Sequence, residues 1–184
     1  ISWYQLTIEP NTYFYSYPPK LPKDTIQDSI LEEGMKILNC SGFSQYEVSA
    51  FAKNSKKSSH NHNYWSFGDY LGIGSGAHGK LTLPNENKLI RTIKPKRPDH
   101  YMSQTLKTVT QLKEIPTKER TIEFLMNALR LKEGFSRSLF EKRTGNEFSV
   151  ISNKISNLIE NELIEIKLVE KENLCLIKMD LEDY

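Results

Sequence analysis

Two short runs of β-favouring residues occur near the start of the chain, and an amphipathic segment lies between them. The first run is Trp3-Tyr4-Gln5-Leu6-Thr7-Ile8, and the second is Tyr46-Glu47-Val48-Ser49-Ala50-Phe51. The segment between them predicts a helix that begins at Asp24 or Thr25 and stops at Gly42. Its apolar residues fall on one broad face: Ile26, Ile30, Leu31, Met35 and Leu38. A strand, a helix and a strand joined in this way form a βαβ crossover, which predicts a parallel pair of strands.

Glycine is concentrated between residues 68 and 79, which hold five of the nine glycines in the chain. Gly72, Gly74 and Gly76 recur with period two, so an extended chain over residues 70–77 would place them on one face. Glycine inside a strand often marks a place where a ligand or another backbone approaches closely. The pattern predicts a third strand with a bare surface for a flat ring, and a glycine-rich turn without a ligand is the alternative.

The same region is rich in side chains that suit a planar ligand. Three of the four histidines lie there: His60, His62 and His78. Their spacing lacks the carboxylate or cysteine that would complete a recognisable zinc site. Asn61, Tyr64 and Trp65 indicate instead an aromatic and hydrogen-bonding wall, and histidine is a common ligand of haem iron. The alternative for His60 is a backbone hydrogen bond that orders a loop.

Beyond Pro116 the pattern changes to three helices and a hairpin, after a possible strand over residues 89–93. The first helix begins at Thr117 and turns four apolar residues inward: Ile122, Leu125, Met126 and Leu129. The other elements are helices over residues 136–143 and 149–161 and strands over residues 163–169 and 174–179. This order predicts a small winged-helix-like α+β domain over residues 116–184, separate from a first domain over residues 1–115.

Composition limits the classes of function. A formal net charge of +2, with 38% hydrophobic and 26% charged residues, is typical of a globular protein. No apolar run approaches the roughly 20 residues of a membrane span, so we expect no integral membrane segment and a cytoplasmic location. Residues 116–184 are more acidic than basic, which argues against nucleic acid as a partner. Cys40 and Cys175, without a CxxC motif, disfavour a disulfide framework and a cysteine-built metal centre.

Five motifs are distributed over nearly the whole chain: Leu6-Thr7-Ile8-Glu9-Pro10-Asn11-Thr12, Gln45-Tyr46-Glu47-Val48-Ser49, His60-Asn61-x-x-Tyr64-Trp65, Gly68-Asp69-Tyr70-Leu71-Gly72-Ile73-Gly74-x-Gly76-Ala77-His78-Gly79-Lys80 and Ala128-Leu129-Arg130-Leu131-x-x-Gly134. Together they resemble the carboxyl-terminal half of the HemW branch of the oxygen-independent coproporphyrinogen III oxidase-like proteins. The resemblance implies an α/β fold, in which the last βα units of a partial (βα)6 radical-SAM barrel precede the winged-helix-like domain. Members of this branch are regarded as haem chaperones.

The resemblance also assigns residues to two ligands. It implies haem binding by four residues: His60, Asn61, Tyr64 and Trp65. It implies that the glycine-rich segment contacts S-adenosylmethionine through Gly72, Ile73, Gly74, Gly76 and Ala77. Glu9 is a further candidate for this cofactor, because ligands are met at the carboxyl ends of strands in barrel-like folds; a surface carboxylate is the alternative. We expect Lys53, Lys56 and Lys57 to meet the propionates of the porphyrin.

One family feature has no counterpart in this sequence. The CxxxCxxC motif that holds a [4Fe–4S] cluster is missing, and Cys40 and Cys175 are too few to replace it. This chain alone should therefore lack the cluster and enzymatic turnover, although the parent family is one of radical S-adenosylmethionine enzymes. The main hypothesis is a fragment that binds haem for delivery to an acceptor protein, and the alternative is a fragment of a coproporphyrinogen III oxidase. An unpaired strand edge at Leu6 would also favour self-association.

Overall fold

The structure of the protein is a computed structural model that describes residues 1–103, 111–169 and 172–177. These residues form two compact units, Ile1–Lys57 and a second that begins at Ser58. The first unit contains α1 Tyr13–Ser16, α2 Asp24–Cys40, β1 Ser44–Glu47 and β2 Ala50–Ala52. The second unit contains α3 Ser59–Trp65, β3 His78–Leu83, β4 Lys88–Ile93, α4 Pro98–Ser103, β5 Gln111–Glu114, α5 Thr117–Ala128, β6 Phe135–Ser136, α6 Arg137–Thr144, α7 Ser152–Glu160, β7 Ile164–Val169 and β8 Glu172–Ile177. Helix and sheet are thus mixed, as expected for an α/β chain.

The second predicted strand is a hairpin rather than one strand of a parallel pair. Strands β1 and β2 pair antiparallel, with Ser44 opposite Ala52. The turn between them is stabilised by Glu47, whose Oε2 accepts hydrogen bonds from the backbone N–H of Ser49 at 3.2 Å and from its hydroxyl at 3.3 Å. The alternating pattern predicted extended backbone correctly, but it carried no signal for this carboxylate-capped turn.

The first predicted strand is also absent as a regular strand. Residues 3–8 form no regular strand, and Ser2 makes an isolated antiparallel bridge with Ala50. The backbone N–H of Trp3 donates to the carbonyl of Ser49 at 2.8 Å and that of Phe51 to the carbonyl of Ile1 at 2.8 Å, as an antiparallel bridge requires. The prediction of a parallel pair is therefore wrong for the described residues. The predicted strand edge at Leu6, on which self-association was based, is not present either.

Helix α2 confirms the amphipathic segment, but its capping and its burial differ from the prediction. The residue before the helix is Lys23, which makes no side-chain cap, whereas Gly42 follows with a left-handed φ of 79° as expected for a stop signal. Ile26 and Ile30 on its apolar face are half exposed. This face borders an open groove of about 210 Å³ that Trp3 and Leu6 also line.

The second unit is built on two antiparallel three-stranded sheets, in the orders β3-β4-β5 and β6-β8-β7. Its core centres on Phe124, whose ring meets Phe67, Phe135 and Phe140 edge to face. Arg120 is buried and donates to the carbonyls of Ile115, Asn87 and Thr144 at 3.0, 3.0 and 3.4 Å. These bonds join α5 to the β3–β4 turn and to the end of α6, so the sheet and the helices share one framework.

The glycine-rich strand predicted over residues 70–77 is not formed. Gly74 and Gly76 have φ angles of 102° and 71°, in the left-handed region that a strand does not use. The strand lies further along the chain as β3, which pairs with β4 from His78 opposite Ile93 to Leu83 opposite Lys88. Strand β4 confirms the prediction for residues 89–93, whereas β3 and β5 were not predicted.

The three helices beyond Pro116 are confirmed as elements, and their ends follow partly from predicted signals. Ser136 caps α6 by accepting from the N–H of Leu139 at 3.1 Å, and Gly145 ends it with a φ of 71°. A 3₁₀ turn, Phe148–Ile151, precedes α7. The predicted turn between the last two strands includes residues 170 and 171, which lie outside the described residues, as does the end of the second predicted strand beyond residue 177.

The inward face of α5 differs from the prediction. Phe124 and Ala128 are fully buried and Arg120 is nearly so, whereas Ile122 and Met126 are 58% and 72% exposed. Leu125 and Leu129 pack at the edge of the core. Apolar residues lie on two faces of this helix, and the larger Phe124 ring at spacing four from Ala128 determines which face is buried. No helix of the described residues is long and apolar enough to cross a membrane.

Candidate functional site

The predicted haem-binding residues lie on helix α3 of the second unit. Ser58 begins the helix, because its hydroxyl accepts a hydrogen bond from the N–H of Asn61 at 3.4 Å. Only seven residues follow before the chain turns at Ser66. A helix this short is marginal by itself, so contacts with neighbouring segments must hold it in place.

His62 and Asn63 supply those contacts. The Nε2 atom of His62 lies 2.7 Å from Oε1 of Glu133, and its Nδ1 atom lies 3.1 Å from the hydroxyl of Ser66. The amide of Asn63 donates to the carbonyl of Asp69 at 2.9 Å. Both ring nitrogens of His62 are engaged, so this histidine orients the helix and is not available to a ligand.

His60 and two tyrosines form a series of contacting aromatic rings. The ring of His60 lies 4.7 Å from that of Tyr64, and Tyr64 lies 4.7 Å from Tyr70, both edge to face. His60 is exposed, and Tyr64 and Tyr70 are half-buried. We name this group of three residues the aromatic ladder. It presents an accessible imidazole beside two edge-to-face tyrosine rings, as a flat ligand with a central metal ion would require.

A cavity of about 300 Å³ lies beside the two tyrosines of the aromatic ladder. Its lining includes six aromatic or charged residues: Tyr64, Trp65, Tyr70, Lys80, Arg91 and Glu123. The indole Nε1 of Trp65 is buried without a hydrogen-bond partner in the described part of the chain. The guanidinium of Arg130 lies 4.5 Å over the Trp65 ring, which holds that ring by a cation–π contact.

Lys80 is a buried cation in the wall of this cavity. Its Nζ donates to the carbonyl of Phe67 at 2.9 Å and to Oδ1 of Asp69 at 3.2 Å, and it lies 4.1 Å over the Phe67 ring. Burial lowers the pKa of Lys80, and the Asp69 carboxylate offsets only part of that effect. Partial burial raises the pKa of Asp69, but hydrogen bonds from Thr82 and the charge of Lys80 outweigh it and hold that pKa below its ordinary value.

Arg91 and Glu123 form a second charged pair in the cavity. The Nη2 atom of Arg91 lies 2.5 Å from Oε2 of Glu123, and their side chains are 27% and 29% exposed. Strand β4 contributes the arginine and helix α5 the glutamate. The amide of Asn127 donates to the backbone carbonyl of Glu123 at 2.7 Å and leaves the carboxylate to Arg91. The pair is therefore preformed and still reachable from solvent.

The glycine-rich segment has a different geometry from the one predicted. A Cβ atom at Gly72 would lie 2.2 Å from the carbonyl oxygen of His78, so this glycine is needed for backbone packing. A Cβ at Gly74 would meet nothing within 4 Å, and Ile73 is 83% exposed. The expectation that Gly72, Gly74 and Gly76 share one bare face is thus wrong, because their backbone angles differ. Of Gly72 and Gly74, only Gly74 has open space where a side chain would project.

The sequence singled out His60, Asn61, Tyr64 and Trp65, but it predicted neither the helix α3 that carries them nor most of the cavity. Tyr70 and Lys80 belong to the conspicuous glycine-rich motif, which was a usable signal. Arg91 and Glu123 lie in ordinary strand and helix patterns, and only the packing of α5 on β4 brings them together. Glu9 lies in the first unit, and its predicted role stays a prediction. No group of three or more metal-ligating side chains occurs among the described residues, and Cys40 is an exposed free thiol.

Parts of this architecture are similar to known proteins. Residues 115–170 match the family described as the HemN C-terminal domain. The fold resembles that of the coproporphyrinogen III oxidase HemN from Escherichia coli, described as a radical SAM enzyme, with a TM-score of 0.55 and 13% identity. That likeness covers 87% of this chain and 39% of the oxidase chain. The fold is therefore that of part of a HemN-like protein.

The curated relatives define the branch more closely. The heme chaperone HemW of Haemophilus influenzae is 46% identical over 164 residues, which are 89% of this chain and 42% of the relative. HemW of Escherichia coli is 45% identical over 79% of this chain and 38% of its own length. The chain is thus related to HemW- and HemN-like proteins and corresponds to their carboxyl-terminal half. It spans less than half the length of these curated relatives.

Proposed function

We propose that this chain carries the haem-binding site of a HemW-like haem chaperone, and that the site is the aromatic ladder. The proposal rests on the different surroundings of the two histidines of α3, His60 and His62. His60 is exposed at the end of the ladder, whereas both ring nitrogens of His62 are engaged by Glu133 and Ser66. One histidine positions the helix, so the other is free to meet iron as an axial ligand or an edge contact. The names of the HemW relatives support haem as the ligand.

Chemically, the site provides binding without turnover. The rings of Tyr64 and Tyr70 cover part of a porphyrin face, and the imidazole of His60 approaches the iron. The exposure of His60 leaves one side of the ligand open to an acceptor protein, which receives the haem. The alternative function, as part of a coproporphyrinogen III oxidase, would require recognition of an iron-free porphyrinogen, for which an imidazole ligand has no use.

Titration distinguishes these two functions. Ferric haem added to the 184-residue chain should shift the Soret band and saturate at one equivalent, whereas iron-free coproporphyrin III should bind much more weakly. Addition of apomyoglobin should then move the haem to myoglobin, as expected for a carrier. Equal affinity for coproporphyrin III and haem would favour the oxidase function, and the absence of saturable haem binding would reject the chaperone function.

We propose that radical S-adenosylmethionine chemistry takes place only in a longer protein that includes the cluster-binding cysteines. Two cysteines cannot hold the [4Fe–4S] cluster, so the residues present do not fit that group. For S-adenosylmethionine we propose contacts at Ile73, Gly74 and the neighbouring positions Gly76 and Ala77, supported by the open space at Gly74. Gly74→Val in a cluster-bearing longer protein should weaken nucleoside binding in calorimetry while cluster content is retained. Equal affinity would show that the segment is structural.

The wider organisation is proposed on the same basis. We propose the last units of a partial radical-SAM barrel over residues 1–115 and a winged-helix-like domain over residues 116–184. The match of residues 115–170 to the HemN C-terminal domain supports the boundary. We also propose that the protein works in the cytoplasm, where a haem acceptor would receive its ligand.

A further inference from the structure

Two residues that line the cavity beside the aromatic ladder, Arg91 and Trp65, carry hydrogen-bond donors without a partner among the described residues. Arg91 carries five N–H donors, and its side chain uses one of them, toward Glu123, within the described residues. The buried indole N–H of Trp65 has no acceptor there. Glu123 supplies the one carboxylate of the six lining residues named above. Unoccupied donors on a guanidinium that solvent can reach favour a ligand group that only accepts hydrogen bonds, and a carboxylate is such a group.

Tyr64 links this cavity to the exposed histidine. Its ring contacts His60 at one edge, and the same side chain lines the cavity. A flat molecule that lies along the ladder with its centre near His60 would therefore have one edge at the cavity mouth. The volume of about 300 Å³ suits a side arm of such a molecule better than a whole macrocycle.

Glu123 already shows how a carboxylate sits in this cavity. It meets Arg91 at 2.5 Å, in a pair that remains about a quarter exposed. An incoming carboxylate can pair with Arg91 while the Glu123 side chain turns to solvent, because both side chains are partly exposed. Exchange of one carboxylate for another conserves the ion pair, so the cation is never left unpaired.

We propose that this cavity is a carboxylate-binding subsite of the haem site, in which Arg91 binds a propionate and Glu123 occupies Arg91 when the ligand is absent. This inference rests on the proposed haem-binding function. It assigns the propionate contact to Arg91 of the second unit instead of Lys53, Lys56 and Lys57, which the sequence suggested. It also explains how a weakly enclosed site fixes the orientation of a ligand whose faces are nearly symmetrical.

The test compares ferric haem with its dimethyl ester, in which both propionates are neutral. The parent chain should bind haem about tenfold more tightly than the ester, as loss of one charge-assisted contact implies. Arg91→Gln should reduce this preference to about onefold while the Soret band of histidine-bound haem is retained. The matched control is Arg97→Gln, which removes the same charge at an exposed position paired with Asp99 and should keep the tenfold preference.

Glu123→Gln separates a ligand-binding role from a structural one. If Glu123 competes with the propionate for Arg91, its neutralisation should tighten haem binding severalfold and leave ester binding unchanged. A structural salt bridge predicts weaker binding of both ligands instead. Circular dichroism melting curves of each variant establish that it is folded, and the ester comparison on the parent needs no variant at all.

The haem and ester titrations separate failure of haem binding from failure of the carboxylate subsite. If haem gives no saturable Soret change with the parent, the proposed function fails, and this subsite fails with it. If haem binds and the parent shows no preference over the ester, the subsite is overturned while haem binding stands. If the preference persists in Arg91→Gln, the propionate lies elsewhere, and the assignment to Arg91 is wrong.

Discussion

The Nε2 atom of His62 lies 2.7 Å from Oε1 of Glu133, across 71 positions of sequence. Glu133 lies in the turn that follows α5, so this contact joins the short helix α3 to the helical framework of the second unit. The second nitrogen of the same ring lies 3.1 Å from the hydroxyl of Ser66, at the end of α3. One imidazole thereby fixes both the position and the termination of the helix that presents His60.

Removal of this anchor should destabilise the unit modestly. His62→Ala loses two hydrogen bonds at a partly exposed site, so we expect the free energy of unfolding to fall by about 1 kcal/mol, measured by urea denaturation. His78→Ala, at an exposed histidine of β3, is the control and should change stability by less than about 0.5 kcal/mol. Equal effects of the two substitutions would contradict the anchoring role of His62.

The Asp69 carboxylate should make stability depend on pH in a defined direction. Its pKa is lower in the folded state than in the unfolded state, so its contribution is present above the unfolded value, about pH 4, and is lost as the pH falls through the folded value. Asp69→Asn should be less stable than the parent by about 1 kcal/mol near pH 7, because solvent screens a carboxylate that is 38% exposed, and this difference should shrink below pH 4.

Urea denaturation at a series of pH values measures that difference. The control is Asp99→Asn, at an exposed aspartate paired with Arg97, which should show a much smaller difference at neutral pH. A difference between parent and Asp69→Asn that stays constant from pH 7 to pH 3 would show that the carboxylate charge is not the stabilising group.

Two glycines of the same motif should respond differently to alanine. At Gly72 the added Cβ would lie 2.2 Å from the carbonyl oxygen of His78, so the backbone must move, at a cost of about 3 kcal/mol. At Gly74 the space is open and only the φ of 102° opposes the side chain, at a cost of about 1 kcal/mol. Thermal unfolding of both variants checks the order, and a greater loss for Gly74→Ala would reverse the assignment.

Local signals predicted the helices better than they predicted the strands. Caps such as Ser136 and stops such as Gly42 and Gly145 act within a few residues, so the sequence displays them directly. Strand partners depend on segments far away in sequence, and for this reason the parallel pair at residues 3–8 and the strand at residues 70–77 were wrong. Alternation and β propensity indicate extended backbone without naming its partner.

The candidate site divides in the same way. His60, Asn61, Tyr64 and Trp65 lie within six consecutive positions on one short helix, so a motif could identify them. The separate duties of His60 and His62 could not be predicted, because they depend on where Glu133 lies after α5. The buried state of Lys80 likewise results from packing against the Phe67 ring and from its pairing with Asp69.

Titration of His60→Ala with ferric haem tests the central claim most directly. The parent should give a saturable Soret shift typical of histidine-bound haem, and the variant should lose that shift and bind at least about tenfold more weakly. His100→Ala, at a histidine of α4 outside the ladder, is the control and should match the parent. If His60→Ala gives the same Soret shift and affinity as the parent, His60 is not the haem ligand, and the account of this site is contradicted.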